Sequence, residues 1–137
     1  MLTKKGTFAR RVEVHEWPLK VGITRTKEFE KKGLCTHAVN VGLRCGNLCL
    51  YCSTPATPVG CHEAFKALGL PRYGMNYSII DPNTVGRLAQ GRNGLKSTDV
   101  VQLCTTVDAW ATEARRHRLG RRCLRHLLKN TSAQVRV

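Results

Sequence analysis

Apolar and polar residues alternate most clearly in HAVNVGL at 37–43, where Val39 and Val41 are also β-branched. A period of two predicts a strand there. DVVQLCT at 99–105 predicts a second strand, and AQVRV at 133–137 begins a third. Between the first two, CHEAFKALG at 61–69 puts Ala64, Phe65 and Leu68 on one face and ends on Gly69, the pattern of a short helix with a glycine cap. DPNTVGRLAQG at 81–91 carries a helix start, with Asp81 as cap, Pro82 at the first helical position and Val85, Leu88 and Ala89 on the apolar side. Residues 110–130 space Ala114, Leu119, Cys123, Leu127 and Leu128 at roughly helical intervals, and Gly120 marks where that helix divides. LPRYGMNYS and GRNGLKST read as loops. Residues 1–36 are polar and basic, broken by Gly6, Pro18, Gly22 and Gly33, and predict a weakly ordered arm with one short helical piece around 26–32.

The order of strand, helices, strand, helices, strand is an α/β signature and implies a parallel sheet with right-handed crossovers. Residues 37–137 are therefore expected to form one α/β segment that stops on its third strand.

Composition narrows the function classes. The 137 residues suit one domain, and 42% hydrophobic residues with only three Phe, two Trp and three Tyr imply an aliphatic core. No apolar run is long enough to span a membrane, and the N-terminus lacks the apolar stretch of a secretory signal, so a cytoplasmic protein is expected. The net charge of +14, from 23 basic and nine acidic residues, makes nucleic acid a candidate partner, which the family resemblance described below would make DNA; part of the excess lies in RRHRLGRRCLRHLLK at 115–129. A solvated outer helix face is the alternative for that cluster, which includes His117 and His126. Seven cysteines without a secretory signal speak against a disulfide framework.

Three of those cysteines, Cys45, Cys49 and Cys52, fall within VGLRCGNLCLYCST at spacing C-x3-C-x2-C, just after the first predicted strand, with Gly42 and Gly46 to let the backbone turn. Thiolates bind soft metals and iron–sulfur clusters, whereas zinc sites favour two separated pairs. Three close thiols are thus the expected ligands of three irons of a [4Fe-4S] cluster, with the fourth iron open. Cys61 with His62, and Cys35 with His37, are weaker metal-ligand pairs; Cys104 and Cys123 sit in apolar runs and read as small buried hydrophobes.

The stretch resembles the cluster motif of radical S-adenosylmethionine (radical SAM) enzymes, with Tyr51 at the aromatic position. HAVNVGLRCGNLCLYCST, together with VVQLCTTVDAWATEARRHRLGRRCLRHLL at 100–128, is similar to the spore photoproduct lyase or DNA repair photolyase-like group. The resemblance covers about 37–137 and implies the N-terminal portion of a partial (β/α) barrel, truncated at the third strand. It further implies S-adenosylmethionine held at the open iron, cleaved reductively to start radical, lyase-like chemistry, with a low-potential electron donor as partner. Tyr51 would then lie by the adenine, or else pack the loop. Thr105, Thr106 and Asp108 would meet the methionyl amino group, or Asp108 would cap the next helix. Arg44 would offset cluster charge, or lie solvated. An inactive fragment of such an enzyme, or a zinc- or cluster-bearing nucleic-acid-binding module, are the alternatives.

Overall fold

A computed structural model describes residues 12–47, 49–73, 76–91 and 94–137. The chain runs β1 (Glu13–Glu16), β2 (Thr24–Arg25), α1 (Lys27–Lys31), β3 (His37–Val39), β4 (Gly42–Arg44), two short 3-10 turns at Thr54–Ala56 and Pro58–Cys61, and α2 (Glu63–Ala67). It continues through β5 (Tyr77–Ile80), α3 (Thr84–Gln90), β6 (Val100–Leu103), α4 (Thr112–Arg116), α5 (Leu119–Asn130) and β7 (Gln134–Arg136).

Two small open sheets result, in the orders β1-β5-β4 and β2-β3-β6-β7. β3, β6 and β7 are parallel, β2 is antiparallel to β3, β1 is parallel to β5, and β4 is antiparallel to β5. This corrects the expected architecture. The sheets are mixed and neither closes nor curls, so the molecule is a small α/β domain and not a partial (β/α) barrel. The reason is local. The predicted strand at 37–43 divides at Asn40, whose amide turns away from the ladder and holds the loop after β6: Oδ1 accepts from Thr105 N at 2.9 Å and Thr106 N at 3.1 Å. β3 stays in one sheet and β4 crosses to the other. Gly42 makes that crossing possible, because a Cβ there would sit 2.2 Å from the Ile79 carbonyl oxygen.

The two sheets carry two cores. Val39, Val101 and Leu103 of the larger sheet pack with Leu88 of α3 and with Leu119, Cys123 and Leu127 of α5. Leu88, Leu119 and Leu127 are each 1% exposed or less, and burying such a side chain stabilises by about 1.5–3 kcal/mol. Leu43, Ala64, Phe65, Tyr77 and Ile79 form the second core. A buried ion pair ties the layers together: Arg87 of α3 pairs with Asp81, whose carboxylate also accepts Leu19 N and Asn83 N, both at 2.9 Å. Asp81 thus begins α3 through a turn onto Asn83, the residue at the N-cap.

The helical region at 110–130 divides at His117–Arg118, just before the expected Gly120. Arg118 takes a left-handed φ of 53°, a strained conformation for a residue with a Cβ. α5 restarts from it.

Candidate functional site

The loop after β4 brings Cys45, Cys49 and Cys52 to one cavity of about 230 Å³, with Arg44, Thr54, Tyr73 and Thr106 also on its wall. Two hydrogen bonds anchor the loop's start to the segment after β6. Gly46 N donates to the buried Glu113 carboxylate at 2.6 Å, and Asn47 Nδ2 donates to Asp108 Oδ2 at 2.8 Å. Farther on, Thr54 Oγ1 donates to Thr106 O at 2.8 Å. Cys45 is half-buried, and that burial pushes its thiol pKa up. Cys52 is exposed.

Sharing a cavity wall is not convergence. Among the described residues no group of three or more His, Cys, Asp or Glu side chains is placed to hold a metal ion. The three thiols do not form a cradle for a [4Fe-4S] cluster, so that cofactor is withdrawn. S-adenosylmethionine goes with it, because the open iron was its anchor. The radical SAM resemblance, the lyase and DNA-repair activity it implied, and the reading as a truncated fragment of such an enzyme are corrected on the same ground and on the open sheets. The zinc-bearing alternative loses its metal likewise. The electron donor was implied only through the cluster.

Of the other expected site residues, Arg44 and Thr106 share that cavity wall, and Tyr51, Thr105 and Asp108 do not line it. Tyr51 stands 89% exposed at the loop tip, and the neighbouring Cys49 raises its hydroxyl pKa through a side-chain hydrogen bond. Thr105 lines a different cavity, with Phe29, Leu34 and Arg136. Asp108 turns back on its own backbone: Oδ1 accepts Trp110 N at 2.8 Å, the turn that precedes α4. Arg44 stacks over Tyr77 with Cζ 4.3 Å from the ring centroid and donates to Arg72 O at 3.0 Å. The Cys61 side chain lies outside the described residues, and His62 caps α2 by accepting Ala64 N at 3.1 Å. Burial raises the thiol pKa values of Cys104 and Cys123 to about 12, which keeps both protonated and apolar in character.

No protein-family model matches the chain, and no curated protein or solved structure matches it.

A second feature lies on the helical side. Trp110, Arg115, Arg118 and Arg121 line a groove of about 330 Å³ over Gly120. The indole lies against the start of α5, where a Cβ on Gly120 would come within 2.8 Å of it. Glycine at this point is what lets the ring approach the helix so closely. Trp110 keeps 39% exposure. From the groove, Arg118, Arg121, Arg122, Arg125 and Lys129 recur at intervals of three and four, one continuous face of α5, and all are exposed. Among the described residues none of these cations makes an ion pair within the chain. Glu113 is the sole acidic side chain from 109 to 137, and it is buried against Gly46. The basic cluster was visible in the sequence. Trp110 was not singled out there, although a Trp ten residues ahead of a helical Gly was the available signal.

Proposed function

We propose that this protein is a single-stranded nucleic-acid-binding module and that the Trp110 groove with the cationic face of α5 is its contact surface. One observation carries the reading: a half-exposed indole set among Arg115, Arg118 and Arg121, with no carboxylate among the described residues paired to them. An exposed aromatic face stacks on an unpaired base, and guanidinium groups contact the flanking phosphates. A paired base has no free face for the indole, which is why single strands are favoured over duplex. The stripe from Arg118 to Lys129 extends ~16 Å at the helical rise, room for several nucleotides. Charge complementarity supports the same partner, at +14 over the chain. Among the described residues no helix is long and apolar enough to cross a membrane. Among the described residues, six cysteines are free thiols, which supports placing the module in the reducing cytoplasm.

The test is fluorescence anisotropy with labelled oligothymidine, oligouridine and a duplex of equal length, at several salt concentrations. The expected result is tighter binding to the single strands, with quenching of tryptophan emission on addition of unlabelled oligomer. Equal or tighter binding to the duplex, or no quenching, would overturn the reading.

A further inference from the structure

The thiol loop holds chemistry that neither a metal nor the basic face uses. Cys52 N donates to Cys49 O at 3.0 Å, closing a tight turn with Leu50 and Tyr51 at its tip. A turn of this kind brings its first and fourth Cα atoms within about 7 Å, and a disulfide spans Cα separations of about 4.4–6.8 Å. Both side chains face the same cavity. They differ in access, with Cys52 exposed and Cys49 half-buried. Leu50 and Tyr51 are 101% and 89% exposed, so the approach to Cys52 is open and flanked by apolar surface.

We propose that Cys49 and Cys52 are a redox-active dithiol that exchanges with a low-molecular-weight organic disulfide. The Cys52 sulfur attacks one sulfur of that disulfide. A mixed S–S bond forms, the partner's own S–S bond breaks, and the released thiolate takes up the proton that Cys52 gives up. The Cys49 sulfur then attacks the Cys52 sulfur, forming the Cys49–Cys52 bond, and the second thiolate leaves and is protonated in turn. The protein dithiol loses two electrons and two protons, and the small disulfide gains them as two thiols. Exposure assigns the first attack to Cys52. Its lower exposure assigns resolution to Cys49.

The experiment incubates the full chain with oxidised glutathione, quenches free thiols by alkylation and maps the products by peptide mass spectrometry. The expected product is an intramolecular Cys49–Cys52 link that dithiothreitol reverses. Cys49→Ser is expected to stop at a stable glutathione adduct on Cys52, and Cys52→Ser to form neither product at Cys49 at a comparable rate. A wild-type chain in which Cys49 and Cys52 stay reduced would overturn the proposal, as would a dominant link through Cys45. The wild-type map decides the matter even if a variant folds poorly. Its outcome is independent of nucleic-acid binding.

Discussion

Replacing Trp110 by alanine removes the one stacking surface in the cationic groove and leaves every arginine in place. Base–aromatic stacking contributes ~1–3 kcal/mol per base, and ~1.4 kcal/mol is tenfold in affinity, so Trp110→Ala should weaken single-strand binding on the order of 5- to 140-fold. Trp110→Phe keeps an aromatic face and should recover most of that loss. The electrostatic part separates by salt. Each phosphate contact on a single strand contributes about −0.7 to the slope of log K against log salt, so Arg118→Gln, Arg121→Gln and Arg125→Gln together should flatten the slope by about 2. Trp110→Ala should leave the slope unchanged, because it removes no charge. The assay is an anisotropy titration of labelled oligothymidine at four salt concentrations, with circular dichroism to confirm that each variant is folded. Folding should survive, since the indole is already 39% exposed. If Trp110→Ala binds like the parent, or the triple variant keeps the parent slope, the groove is not the contact surface and the reasoning fails.

Gly120→Ala should behave like Trp110→Ala in the same titration. Helix propensity alone would favour alanine by about 1 kcal/mol, but the new Cβ would meet the indole at 2.8 Å and the Ala109 carbonyl at 2.9 Å; unchanged binding would sink the packing argument. Asp81→Ala strips Arg87, Leu19 N and Asn83 N of a shared acceptor, and breaking a buried pair costs about 3–5 kcal/mol; a urea-melt loss under about 1 kcal/mol would contradict it. The pKa of Cys123 rises from 9.0 unfolded to about 12 folded, so the unfolded chain sheds this proton first. Its contribution is fully present below 9.0 and falls between 9.0 and about 12. Over that window Cys123→Ala should lose stability less steeply than the parent, by up to ~1.4 kcal/mol per pH unit, and parallel alkaline limbs in denaturant melts would rule this out.

The alternating segments were legible because their two faces meet different surroundings. β6 was expected at 99–105 and forms at Val100–Leu103, where burial alternates. α3 was likewise expected, at 81–91, and forms at Thr84–Gln90. The first half of β5 was read as loop and the second half was assigned to no element. All four of its residues, Tyr77 to Ile80, are buried, because Tyr77 and Ile79 face one core and Ile80 the other, and a strand buried on both faces shows no period of two. The break between β3 and β4 was hidden for another reason. Asn40 fits the alternation as a polar outward residue, yet its amide serves the backbone of the Thr105–Thr106 loop 65 residues away, and no local pattern carries a partner that distant.

The same distinction separates the two candidate sites. Spacing along the chain placed Cys45, Cys49 and Cys52 close together, and the fold does set them on one cavity wall. Ligation, however, depends on sulfurs converging on a point, and the backbone path decides that; the loop is pulled at one end by Glu113 and Asp108 and at the other by Thr106. The cationic face depends far less on exact placement, because Coulomb attraction acts over roughly a Debye length of ~8–10 Å. A charge cluster is therefore legible in the sequence without its exact local conformation. In the proposed reading, what the fold adds is specificity. Arg118 in its left-handed turn and Gly120 without a side chain bring an aromatic plane onto a helix that would otherwise offer charge alone. Charge by itself binds any polyanion, whereas an exposed indole beside it would distinguish an unpaired base from a stacked pair.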